Sequence, residues 1–330
     1  MKKKRLILSI VMAVLSAMVL SAAGKKEAKD ELKFPTKPLK VLLPWAAGGS
    51  SDVMLRAMSE LSPKYFGQPM VIINRDGAGG TIGTAEFVKT DPDGYNILML
   101  AIGVFTTQPF MRDVQYKLDD FEGIIGLFYE PIILAVHKDS PYNSIEDLVA
   151  DAKKTGKTFK YGSSGTGSLP HLSQAAFFSM AGIKADVVAF DGGGPTITAI
   201  LGKHVDAGAA HPTEILPFVQ DGQLKMLGIF SSERDPRPAL KDVPTFKEKG
   251  FDINMAVWKF LLVPKGTPQA IKDRLYEGFL KIVKDEKFAK FAETAGLIMN
   301  PYTGDEVMKR VREETEFTHG VLKQLGLAKK

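Results

Sequence analysis

The sequence predicts an α/β protein of two lobes, each a mainly parallel sheet covered by helices. Three observations carry that expectation. Short β-rich apolar runs alternate with amphipathic stretches; the alternation restarts near Ser144; and glycine-rich turns fall where strands pass into helices. Strand, helix, strand in succession builds a parallel pair closed by a helical crossover. With 330 residues and 45% apolar composition, the chain is long enough for about two domains.

The amino terminus has the three parts of a cleaved secretory leader, expected over residues 1–23. Lys2, Lys3, Lys4 and Arg5 precede an apolar stretch from Leu6 to Leu20, and Ser21-Ala22-Ala23 supplies small residues for cleavage. The stretch is short for a membrane span. All four charges before Ala23 are basic, so cleavage leaves lysine and arginine close to balance with aspartate and glutamate. The basic pI therefore gives no support to a nucleic-acid partner. Residues 24–37 are charged and poor in large apolar side chains, which predicts a flexible tether. The chain has no cysteine, which excludes disulfides, thiolate metal sites and cysteine nucleophiles.

Leu39–Trp45, Met70–Asn74 and Asn96–Gly103 read as buried strands bounded by turn residues. Between them, Val53, Ala57 and Leu61, then Ile82, Ala85 and Val88, recur at helical spacing. Ser144-Ile145-Glu146-Asp147 predicts a capping box opening a helix that ends near Gly156. Strands follow at Thr158–Tyr161, Asp186–Phe190 and Lys225–Phe230, with helices at Pro170–Ala181 and Pro195–Gly202. Pro268–Lys284, Glu286–Ala295 and Gly304–Leu325 complete the chain as helices.

Three glycine-rich loops concentrate the functional signal. They are Pro44-Trp45-Ala46-Ala47-Gly48-Gly49-Ser50-Ser51-Asp52, Asn74-Arg75-Asp76-Gly77-Ala78-Gly79-Gly80-Thr81, and Gly162-Ser163-Ser164-Gly165-Thr166-Gly167-Ser168. Ligands of open α/β sheets sit at the carboxyl ends of strands, where helix N-termini offer free N–H groups and partial positive charge. Such loops suit an anion held between two lobes. Enzyme signatures do not fit them. The third loop lacks the Gly-Lys-Ser/Thr ending of a phosphate loop, Ile82 stands where a dinucleotide fingerprint needs glycine, and no Gly-x-Ser-x-Gly elbow occurs. The five histidines form no paired metal motif, so neither metal nor cofactor is expected. His171 follows the third loop and either touches a ligand or caps the turn. Asp191, ahead of Gly192, would repel an anion unless it faces an amine, a cation or a backbone N–H. Trp45 and Trp258 either wall a pocket or lie in the core.

These loops, in this order, resemble the substrate-binding proteins of the tripartite tricarboxylate transporters, the TctC or Bug family. Arg234, Asp242-Val243-Pro244-Thr245-Phe246 and Pro264-Lys265-Gly266-Thr267-Pro268 add to the likeness. The resemblance implies a two-lobed periplasmic binding protein-like fold of type II, with two crossover hinge strands near His137 and Asn254. Lobe 1 would comprise 38–137 plus 254–330, and lobe 2 would comprise 138–253. It implies a monomeric, non-catalytic receptor that delivers a small carboxylate to integral-membrane transporter subunits. A ligand-binding partner of a membrane sensor and a secreted α/β hydrolase are the alternatives. Carried onto this chain, ligand contact falls to Trp45, Ala47, Gly48, Gly49, Ser50 and Asp52 in the first loop and to Ala78, Gly79 and Gly80 in the second. Thr106, Ser163, Ser164, Thr166, Gly167, Ser168, His171, Asp191 and Gly192 complete the expected site. At Asp191 the chain departs from the family, which commonly has a basic residue there.

Overall fold

The computed structural model describes residues 32–324, 328 and 329. The expected leader, and the tether up to residue 31, lie outside the described residues. The chain divides at Phe34 into a first unit and a second, compact one, Pro35–Lys330. Leu32–Phe34, the described part of the first unit, form neither helix nor strand. The fold below is that of the second unit. Among the described residues no helix is long and apolar enough to cross a membrane.

Eleven strands form two sheets among the described residues. The first contains β1 (Leu39–Leu43), β2 (Met70–Asn74), β3 (Asn96–Ala101), β4 (Phe121–Pro131), β10 (Ala256–Pro264) and β11 (Ile298–Thr303), in the order β11-β4-β10-β3-β1-β2. The second contains β5 (Ile133–His137), β6 (Phe159–Ser163), β7 (Ala185–Ala189), β8 (Ala207–Ala210) and β9 (Leu224–Ile229), in the order β7-β6-β8-β5-β9. Each sheet with its helices is one lobe.

Both sheets are mixed, which corrects the expectation of mainly parallel ones. β1 runs parallel to β2 and β3, and β6 runs parallel to β7 and β8. β10 is antiparallel to β3 and β4, and β5 is antiparallel to β8 and β9. The reason is topological. β5 and β10 are the first strands after the chain changes sheets, so no helical crossover dictates their direction. The first change falls at Ile132, between β4 and β5, because the strand ending at His137 already pairs within the second sheet. The return falls between Met255, whose N–H still donates to Phe230 at 3.0 Å, and Ala256.

Helices cover the sheets where period and caps place them. In lobe 1 they are α1 (Ser50–Phe66), α2 (Thr81–Phe87), two single turns α3 (Gly103–Thr106) and α4 (Gln108–Met111), and the carboxyl-terminal α9 (Gln269–Val283), α10 (Glu286–Thr294) and α11 (Gly304–Gln324). In lobe 2 they are α5 (Ile145–Thr155), α6 (Leu169–Ala181), α7 (Gly193–Leu201) and α8 (Pro212–Gln220). Ser144 Oγ accepts the Asp147 N–H at 3.0 Å and Gly156 closes α5 in the left-handed conformation, as the capping pattern predicts. Phe87, Leu98, Leu100, Phe105, Phe121 and Phe260 anchor the lobe 1 core; Phe159, Phe177, Phe230 and Phe246 anchor lobe 2. Trp258 packs on Phe260 in that first core, with ring centroids 4.8 Å apart.

Candidate functional site

Five helix starts converge between the lobes. Those of α1 and α2 follow β1 and β2, and those of α6, α7 and α8 follow β6, β7 and β8. All five lie at carboxyl ends of parallel strands, where an open α/β sheet leaves its crevice. Between the lobes is a cavity of about 60 Å³, room for a few water molecules. Its lining includes Trp45, Gly49, Ser50, Ser51, Asp52, Gly79 and Gln108 from lobe 1, and Ser164, Ser168, Gly193, His211 and Glu214 from lobe 2. Val257 and Lys259, on returning strand β10, line it as well.

The lobes touch, so this is a closed state. Along the outer edge the acceptors are backbone carbonyls of lobe 2. Ala46 N–H donates to the Asp191 carbonyl at 2.8 Å, and Gln108 Nε2 and Arg112 Nη2 donate to the Thr166 carbonyl at 2.9 and 3.1 Å. Thr107 Oγ1 donates to the Gly167 carbonyl. Glycine permits this approach. A Cβ on Gly165 would lie 2.9 Å from the Gly79 Cα, backbone against backbone, and the two residues have φ of +119° and +67°. These glycines admit the opposite lobe.

The inner edge is built from charge. Lys259 Nζ donates to Glu130 Oε2 at 2.5 Å and to Ser50 Oγ; the Ser50 hydroxyl donates to Glu130 Oε2 at 2.9 Å. From lobe 2, Thr213 Oγ1 donates to Glu130 Oε1 at 2.8 Å. Glu130 and Lys259 are 0% and 3% exposed, so both ions have left water. Burial opposes the Glu130 charge, but Lys259, His211 and Thr213 outweigh it and hold the carboxyl well below the usual range. Above this pair, Glu214 Oε1 accepts the Ser50 N–H at 2.7 Å, and its Oε2 accepts the His211 N–H at 2.9 Å. One carboxylate thus joins the first turns of α1 and α8 across the lobes. A Cβ at Gly193 would lie 1.9 Å from Glu214 Oε1, so a larger residue there would displace that carboxylate.

Among the residues expected in the site, Trp45, Gly49, Ser50, Asp52, Gly79, Ser164 and Ser168 line the cavity. Asp52 serves the loop as much as the cavity. Burial disfavours its charge, but bonds from Arg56 at 2.8 and 3.0 Å, Gly48 N–H at 3.1 Å and Asn74 Nδ2 at 3.1 Å prevail and hold its carboxyl below the usual range. The other expected residues lie beside the cavity. Ala47 and Gly48 border an outer groove with Phe190 and Phe218. Gly80 packs beneath the Trp45 ring, and the Ala78 carbonyl accepts from Thr81 Oγ1 at 3.1 Å. Thr106 Oγ1 turns back to the Ile102 carbonyl at 3.3 Å, so its neighbour Thr107 makes the bond between lobes. Ser163 is buried against Ser168 Oγ at 3.0 Å. Thr166 and Gly167 contribute the carbonyls already described.

His171 caps the third loop. Its Nδ1 accepts the Gly167 N–H at 3.0 Å, and burial pushes the imidazole down to about 4, so it is neutral at pH 7. Asp191 is exposed and reaches lobe 1 through its carbonyl alone, while Gly192 sits against Ala46. The residues that sequence reasoning missed are Gln108, Glu130, His211, Thr213, Glu214 and Lys259. One signal was visible: Lys259 is the lone charge in the apolar run Ala256-Val257-Trp258-Lys259-Phe260-Leu261-Leu262, and an isolated lysine there demands a buried partner. Among the described residues no three acidic or histidine side chains are grouped to hold a metal.

A family profile described as "Tripartite tricarboxylate transporter family receptor" matches residues 54–327. A protein of Agrobacterium vitis, "UPF0065 protein in the TAR-I ttuE-ttuC' intergenic region", is 30% identical over 306 residues, covering 91% of this chain and 87% of its own length. The structure of the periplasmic binding protein BugD is 27% identical, with a TM-score of 0.85, covering 90% of this chain and all of that one. The R. palustris protein Rpa4515, solved with adipate, is 26% identical, with a TM-score of 0.84 over 89% of this chain and 99% of its own.

Proposed function

Since the chain belongs to the tripartite tricarboxylate transporter receptor family, we propose that it captures one small carboxylated molecule between its lobes and presents it, outside the cytoplasmic membrane, to the membrane subunits of such a transporter. One observation carries the reading: five helix N-termini from two lobes surround a single cavity. First-turn N–H groups lack a carbonyl four residues back, so Ser51 and Asp52 of α1 offer donors and a partial positive charge to a carboxylate. Lys259 lines the cavity too, its charge balanced by Glu130. The adipate bound to a relative of the same fold supports the ligand class.

Closure is the working step. A ligand reaching both lobes binds the closed state better than the open one and shifts the equilibrium by that difference. The lobes divide at Ile132 and Met255, which absorb the motion. The closed surface, including the groove between Ala47 and Phe218, is what a membrane partner would distinguish from the open form. The chain acts as a monomer and performs no chemistry. Glu130, held well below the usual carboxylate range, is a poor base for the Ser50 hydroxyl that donates to it, which argues against Ser50 as a nucleophile.

Calorimetric titration with a panel of mono-, di- and tricarboxylates, each paired with its amide, tests the reading. Saturable one-to-one binding of an acid and not of its amide is expected. Equal binding of amides, or heat from none of the acids, would sink it.

A further inference from the structure

Two acceptors in the cavity wall have no use in holding a carboxylate. Gln108 is 1% exposed and lines the cavity. Its Nε2 donates to the Thr166 carbonyl at 2.9 Å, which fixes the amide's orientation, and its Oε1 has no hydrogen-bond partner. A buried acceptor left unpaired is costly, and only a donor brought from outside relieves it. Glu214 is the second. It is 7% exposed, and its oxygens accept backbone N–H groups from Ser50 and His211, with no cation paired to it among the described residues.

The charges around the cavity sharpen the point. Asp52 is matched by Arg56 and Glu130 by Lys259, so Glu214 is the carboxylate left without an ionic counterpart. It also occupies the Ser50 N–H, an amide that a ligand carboxylate would otherwise use. A plain dicarboxylate would bring two further negative charges beside Glu214 and leave Gln108 Oε1 unpaired.

We propose that this cleft selects carboxylates bearing a hydrogen-bond donor on the carbon chain, an ammonium ahead of a hydroxyl, and that Gln108 and Glu214 enforce the choice. This rests on the receptor reading above and names the ligand chemistry of the same cavity. Gln108 Oε1 accepts the donor; Glu214 distinguishes a charged donor from a neutral one by its field.

Matched series that differ at one carbon test it: succinate, malate and aspartate; glutarate, 2-hydroxyglutarate and glutamate; propionate, lactate and alanine. Within whichever series binds, the amino compound should bind at least about tenfold tighter than the unsubstituted acid, with the hydroxy acid between. Gln108→Met should bring the hydroxy acid within about twofold of the unsubstituted acid, leaving the amino compound only the lead that Glu214 gives it, even if all weaken through loss of the Thr166 bond. Gln108→Glu keeps an acceptor and should retain the preference. Glu214→Gln should erase the advantage of ammonium over hydroxyl and improve the unsubstituted acid. An unsubstituted acid that binds as tightly as its amino counterpart, or a hydroxy acid that keeps its lead over the unsubstituted acid in Gln108→Met, would overturn the selectivity while leaving a carboxylate receptor in place. Binding of no series would overturn both readings.

Discussion

The outer and inner edges of the cleft close by different physics. At the outer edge, Gly79 and Gly165 let two backbones approach, and lobe 2 carbonyls accept from the Ala46 N–H and from the Thr107, Gln108 and Arg112 side chains. At the inner edge, Lys259, Glu130, Ser50, Thr213 and Glu214 form a buried charged network across both lobes. Single hydrogen bonds of the first kind are individually weak and can be made and broken as the cleft works. A buried ion pair of the second kind gains little over an apolar pair, but losing one partner strands a charge. The outer edge therefore governs access, and the inner edge governs whether the lobes keep their geometry.

Breaking the inner edge should have the largest effect. Lys259→Met leaves Glu130 ionised and unpaired in the interior and should cost about 3–5 kcal/mol in urea denaturation. Adding Glu130→Gln should recover at least half of that loss. If the single variant is as stable as the parent, the pair is not buried as described. The outer edge should respond in function more than in stability. Gly165→Val places a side chain against the Gly79 backbone at a φ of +119°, costing about 1–3 kcal/mol in strain and abolishing ligand binding with unchanged circular dichroism. Retained affinity would show that the lobes need not meet there.

The third prediction separates His171 from the charged network. Its folded-state value of about 4 lies below the ordinary 6.5, so the unfolded chain takes the proton first. Its contribution to stability is complete above pH 6.5 and declines by about 1.4 kcal/mol per unit as pH falls toward 4. His171→Gln should flatten the unfolding free energy over that window; an unaltered slope would mean the imidazole is solvated. The smallest effect is expected at Asp191, where Asn should change stability by less than about 0.5 kcal/mol and leave ligand preference untouched. A changed preference would return that carboxylate to the pocket.

The two edges also differ in how far they can be read from sequence. The outer edge was legible, because strand, glycine turn and helix are neighbours in the chain and each loop declares itself within nine residues. The α5 cap at Ser144 was legible for the same local reason. The inner edge was not. Lys259 and Glu130 are 129 positions apart, and Ser50 and Glu214 are 164 apart, so only the folded topology joins them. β5 and β10 escaped the parallel expectation likewise, since their direction depends on which sheet the chain has just left. Asp191 misled because its position in the chain, ahead of a helix start, is right for a ligand contact, while its side chain turns to solvent.

The central claim is that a carboxylate bridges the two lobes and holds them closed. Thermal unfolding of the wild-type protein and Gly165→Val, side by side across the matched carboxylate series, tests it most directly. A bridging ligand at a hundredfold excess over its dissociation constant adds about 2.7 kcal/mol to the folded state. The account predicts that at least one acid raises the wild-type melting temperature and leaves that of Gly165→Val unmoved. An equal rise in both proteins would place the ligand outside the cleft, and no rise in either would contradict the receptor reading itself.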